Sequence, residues 1–125
     1  RRKAICKRYD AAFQSDARFI LPPLMEGHRE SSYHLYMLRV AKASEEQRDA
    51  IITAIANREV SVNVHFIPMP MLSLYRTLGY RMQDHPNTYR EYSREISLPV
   101  YFDLSNEQVD TVIAAVKDAV QEVMG

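Results

Sequence analysis

Between Ser32 and Phe66 the chain changes its hydrophobic rhythm twice, and this stretch limits the available folds more than any other. "SYHLYMLRV" alternates, with Tyr33, Leu35, Met37 and Arg39 pointing one way and His34, Tyr36, Leu38 and Val40 the other. Both faces are largely apolar, which predicts a central strand. "SEEQRDAIITAIANRE" then predicts a helix. Ser44 caps it, Gln47 completes a capping box, and Ala50, Ile51, Ala54 and Ile55 form the buried stripe. "VSVNVHF" returns to alternation, with Val60, Val62 and Val64 on one face and Ser61, Asn63 and His65 on the other, and predicts a second strand. Strand, helix and strand in that order make a compact unit of α/β type.

The flanks add helices. Residues 3–14 carry Ala4, Ile5, Arg8, Tyr9, Ala12 and Phe13 at helical spacing. "LPPLMEGHRESS" reads as a connector, broken by Pro22, Pro23 and Gly27. "MPMLSLYRTLGY" predicts a short helix stopped by Gly79, and "HPNTYREYSREI" another with Pro86 in its first turn. "SLPVYFD" supports no more than an edge strand or an extended link. Ser105 and Gln108 open the last helix, whose stripe is Val109, Val112, Ile113, Val116 and Val120.

The totals exclude several classes. A chain of 125 residues fits one domain. Sixteen Lys and Arg balance sixteen Asp and Glu, so no basic excess points to nucleic acid or an anionic membrane. One cysteine, Cys6, rules out an internal disulfide and favours a reducing compartment. Lys3, Lys7 and Arg8 stand near Cys6 in sequence, an arrangement that can lower a thiol pKa, although a small apolar residue on a helix is the plainer reading. No run reaches the ~20 apolar residues of a membrane span, and no signal peptide precedes the first helix. The chain opens inside a helix without an initiator Met, which suggests a piece of something longer. The three glycines form no phosphate loop, and no Cys or His pair has zinc-finger spacing; His28 and His34, six apart, are a weak metal hint. On the residues alone the default is a free-standing α/β binding or regulatory module.

His65 stands out within this plain background. A strand end aims it, Phe66 follows, and Pro68 stiffens the exit. An imidazole so placed can hydrogen-bond a hydroxyl or a phosphate; the ordinary alternative is a histidine bonded to nearby backbone. His34 lies between Tyr33 and Leu35, and a half-buried core histidine is at least as ordinary a reading there. Phe66 offers an aromatic face for stacking, or packs under the loop that follows.

Five strings in order are similar to the C-terminal small domain of the pyridoxal-phosphate-dependent nucleotide-sugar aminotransferases of the DegT–StrS type. They are "SSYHLYMLRV", "RDAIITAIANREVSVNVHFIP", "LYRTLGY", "HPNTYREYSREISLPVYFDLS" and "EQVDTVIAAV". The resemblance covers nearly the whole chain. The family often has glycine where Glu59 stands, and a second histidine near Pro70 that this chain lacks.

The resemblance implies an α/β (α+β) two-layer sandwich, a small mixed or antiparallel sheet covered by helices, with residues 1–125 forming a single C-terminal small domain. It implies a parent enzyme that moves an amino group from glutamate to a keto-sugar nucleotide, with pyridoxal 5'-phosphate as cofactor, acting as a cytoplasmic homodimer. The coenzyme's lysine belongs to a large domain absent from this chain; none of Lys3, Lys7, Lys42 or Lys117 sits in the family's lysine motif. The chain alone is therefore expected to be inactive and to hold no catalytic or cofactor-binding residue. Its substrate-binding candidates are His65, His34 and Phe66. Arg94 matches a family arginine, for which a salt bridge or a helix-end contact is the expected role, and Tyr75, Tyr80, Tyr89, Tyr92 and Tyr101 are candidates for a domain interface. A dehydratase on the same scaffold, with histidine in place of the lysine, is a second enzymatic possibility.

Overall fold

The computed structural model describes residues 1–125. Helix α1 (Arg2–Phe13) leads to strand β1 (Phe19–Ile20), a hairpin of β2 (Met25–Glu26) and β3 (Arg29–Glu30), and strand β4 (Tyr36–Val40). Helices α2 (Glu45–Ala56), α3 (Ser73–Thr77) and α4 (Pro86–Tyr92), strand β5 (Glu95–Leu98) and helix α5 (Asn106–Met124) complete the order. The main sheet is antiparallel with order β1–β4–β5, so β4 is central, as its sequence predicts. Gly27, at φ +59, turns the β2–β3 hairpin.

Helices α1, α2 and α5 cover one face of this sheet. Tyr36, Leu38 and Val40 of β4 and Ile96 and Leu98 of β5 meet Ile5, Tyr9 and Phe13 of α1, Ile51 and Ile55 of α2, and the valines of α5 in one core. The buried hydroxyls are satisfied: Tyr36 donates to Asp10 at 2.7 Å and Tyr9 to the Pro99 carbonyl at 2.9 Å. Both predicted capping boxes form, Ser44 with Gln47 and Ser105 with Gln108. The result is the two-layer α/β sandwich expected from the resemblance.

Four local readings need correction. First, β4 is not apolar on both faces. Met37 is exposed and Arg39 half-buried, and they leave the core to line a cleft on the sheet's open side. Second, the stripe of α2 runs through Arg48, not Ala50, which is exposed. Third, α4 ends at Tyr92 and β5 begins at Glu95, inside the stretch read as helix; the strand forms because Ile96 and Leu98 must reach the core beside β4. Fourth, residues 60–66 form no regular strand. Asn63 and Ser97 exchange backbone hydrogen bonds at 3.3 and 2.7 Å, and the ladder stops there. Continued in register, Ser61 would face Pro99, which has no N–H to give. His65 would face Glu95, whose side chain rather than its backbone takes the His65 N–H.

The α3 helix is as short as its sequence suggests. Gly79 at φ +90 ends it, with the Tyr80 N–H returning to the Tyr75 carbonyl at 3.1 Å.

Candidate functional site

The open side of the sheet carries a cleft of about 290 Å³ lined by Pro22, Pro23, Met37, Arg39, His65, Phe66, Glu91, Tyr92 and Glu95. Its floor follows from strand alternation. Arg39 and Glu95 are register partners, as are Met37 and Ser97, and they face away from the helices because Leu38, Ile96 and Leu98 face toward them. One wall comes from α4 and one from the segment that ends at His65 and Phe66.

His65 and Phe66 are both exposed at this wall, their rings edge to face with centroids 4.8 Å apart. Phe66 is 80% exposed, so packing under the following loop is not its role here. The His65 backbone N–H donates to Glu95 Oε2 at 3.0 Å, and Ser97 Oγ donates to Glu95 Oε1 at 2.6 Å. Pro68 is buried and fixes the exit of the segment.

Across the cleft, Arg39 is held from two sides: it donates to Glu91 Oε2 at 2.5 Å and to the Leu21 carbonyl at 3.1 Å. Glu91 also accepts from Arg94 at 2.8 Å and Arg90 at 3.1 Å. The Arg39 hydrogen bond, above all, with Arg94 and Arg90 behind it, brings the Glu91 carboxyl down to about 2. Arg94 therefore makes the salt bridge expected of it. Tyr92 and Tyr89 both donate to Glu45 at 2.9 Å, and the Arg48 guanidinium lies 4.9 Å from the Tyr92 ring centre. Arg48 also donates to the carbonyls of Tyr92 at 2.7 Å and Glu95 at 3.3 Å, bracing both cleft residues from behind.

The candidates part company here. His65 and Phe66 share the cleft, whereas His34 does not line it. His34 is exposed rather than half-buried, with Nδ1 3.3 Å from an Arg2 guanidinium nitrogen. Cys6 is fully buried, and burial pushes its thiol up to about 11, with Asp10 adding to the effect, so the cations near it in sequence do not activate it. Arg39, Glu91 and Glu95 were missed as site residues. The sequence signal for Arg39 is its place among the apolar residues of β4; Glu95 carries none, because a helix-like string runs through it.

The cleft can hold and orient a ligand. Its exposed imidazole and phenyl ring offer a hydrogen bond and a stacking face, while Arg39 pairs with Glu91 and Glu95 is held by the His65 N–H and the Ser97 hydroxyl. None of Lys3, Lys7, Lys42 and Lys117 lines it.

Residues 1–117 match the family model of the DegT/DnrJ/EryC1/StrS aminotransferase family. The chain is 38% identical over 124 residues to the spore coat polysaccharide biosynthesis protein SpsC of Bacillus subtilis, covering 97% of this chain and 32% of that protein. It superposes with a TM-score of 0.94, at 38% identity, on the PLP-form of Spr1654 from Streptococcus pneumoniae, described as a sugar aminotransferase; the match covers 99% of this chain and 31% of that one. The aminotransferase TlmJ of Streptoalloteichus hindustanus matches at 26% identity with a TM-score of 0.84, over 99% of this chain and 32% of its own. The chain thus spans about a third of the length of each of these relatives.

Proposed function

Because the chain belongs to the DegT/DnrJ/EryC1/StrS aminotransferase family, we propose that it is the C-terminal small domain of a pyridoxal-phosphate-dependent sugar aminotransferase and forms one wall of the substrate cleft. In this reading the whole protein moves an amino group from glutamate to a keto group on a nucleotide-linked sugar, and works as a cytoplasmic homodimer. What supports it is one geometric fact joined to one likeness. His65 and Phe66 stand exposed together at the cleft, and the whole chain matches a third of a protein described as a sugar aminotransferase. His65 gives a hydrogen bond to a sugar hydroxyl or a phosphate, and Phe66 offers a stacking surface. His34, exposed away from the cleft, has a weaker claim to the same substrate.

The residues present do not fit a coenzyme-holding role. No lysine lines the cleft, and no glycine-rich turn stands beside it to cradle a phosphate. The proposal therefore assigns pyridoxal 5'-phosphate and its lysine to a large domain outside this chain, and to this chain the work of holding the sugar nucleotide.

The test is amino transfer from glutamate to a keto-sugar nucleotide by the full-length protein, with His65→Ala beside it. The variant is expected to bind the sugar nucleotide about tenfold more weakly, a loss of about 1.4 kcal/mol, while keeping the coenzyme. The 125-residue chain alone is expected to give no saturable visible band with pyridoxal phosphate. A saturable band, or full sugar-nucleotide affinity in His65→Ala, overturns this division of labour.

A further inference from the structure

We propose that Glu95 is a positioning residue that turns His65 and Phe66 into the cleft, an inference that rests on reading His65 as substrate-facing. Glu95 is 7% exposed, and its carboxylate meets no Lys or Arg side chain. A carboxylate that deep is costly unless hydrogen bonds replace its water. Its two oxygens are used on two donors from different segments, the His65 N–H and the Ser97 hydroxyl. A ladder bond from the Glu95 backbone would satisfy the same His65 N–H without burying a charge, so mere pairing does not account for the residue.

The effect of the substitution of side chain for backbone is geometric. In a regular strand, consecutive side chains point to opposite faces, so only one of His65 and Phe66 would reach the cleft. The pairing of Asn63 with Ser97 sets the register in which His65 would next bond to the Glu95 backbone. The Glu95 side chain intercepts that N–H, the ladder ends, and both rings reach the same cleft. Arg48 donates to the Glu95 carbonyl at 3.3 Å, the ladder acceptor that the His65 N–H leaves unused. The demand on Glu95 is for an acceptor of the right reach rather than for charge. Gln meets it: its carbonyl takes the His65 N–H while its amide donates to Ser97 Oγ.

The experiment uses the full-length protein with its coenzyme, and reads sugar-nucleotide affinity and amide hydrogen exchange across residues 61–67. Glu95→Ala is expected to lose about tenfold in affinity and to speed exchange in that segment without changing exchange in α5. Glu95→Gln is expected to retain both properties. The double variant Glu95→Ala/His65→Ala is expected to lose less than the product of the two single losses, because only Phe66 is left to position. Losses that multiply, unchanged exchange across 61–67, or Glu95→Gln failing like Glu95→Ala each overturn the role. If His65→Ala itself binds normally, the reading of the site fails and this role with it; if only the Glu95 variants bind normally, the site reading survives and this role does not.

Discussion

The Glu91 carboxylate accepts from three guanidinium groups, those of Arg39, Arg94 and Arg90, and Arg39 contributes most to holding it down to about 2. A carboxyl group whose pKa falls on folding stabilises the native state above its unfolded value, and that contribution is lost as pH drops through the folded one. For Glu91 the window runs from 4.5 down to about 2. The side chain is 39% exposed, so solvent screening keeps the effect modest. Glu91→Gln is expected to lower stability at neutral pH and to flatten the decline of stability across that window, read by denaturant titration at several pH values. An unchanged acid slope would show that the arginines do not hold Glu91 ionised in the native state. Arg48 makes the opposite case at the same scale. It is 1% exposed, and its fork reaches two carbonyls and the face of Tyr92 at once, a combination that a lysine ammonium cannot match.

At the scale of elements, the turn between α2 and the 60–66 segment contains a strained position. Glu59 has φ +60, a region costly to residues with a Cβ. Relief of that strain is partly offset by the extra freedom glycine has when unfolded, so Glu59→Gly is expected to gain up to about 1 kcal/mol, while Glu59→Val costs about 1–2 kcal/mol. Shifts in the denaturation midpoint decide it, and a destabilised glycine variant would show that Glu59 contributes a contact worth more than the strain. Elements set by local chemistry were legible in the sequence. The capping boxes marked α2 and α5, Gly79 marked the end of α3, and alternation marked β4. Elements set by tertiary demand were not. The 60–66 alternation was real, since Val60 is buried and Ser61 exposed, but ladder formation depended on Glu95 and Pro99, thirty or more residues from His65 and Ser61. β5 begins inside a helix-like string because β4 needed a partner. The cleft was half legible for the same reason. His65 and Phe66 announced themselves by local pattern, whereas Arg39, Glu91 and Glu95 became a site only through register.

At the scale of the whole molecule, the residues absent from the core say most about how this chain is used. Within fifteen positions, Phe66, Ile67, Met69, Leu72, Leu74, Leu78 and Tyr80 are all exposed. Tyr101 and Phe102 are exposed further along. The sheet and α1, α2 and α5 form a complete core without them. Scattered exposed apolar residues are ordinary, but a run of this density leaves apolar surface in water unless something covers it. Under the proposed function a large domain of the same protein covers the run, and the chain taken alone is expected to self-associate through it. Sedimentation velocity at about 100 μM is expected to show concentration-dependent oligomers that Leu74→Glu with Leu78→Glu reduces toward monomer, since each exposed leucine withdrawn from water contributes about 1.5–3 kcal/mol. Added salt is expected to strengthen rather than dissolve these oligomers, as burial of apolar area requires. A wild-type chain that stays monomeric at that concentration would show that the run is stable in water uncovered, and would remove the structural reason for a covering domain.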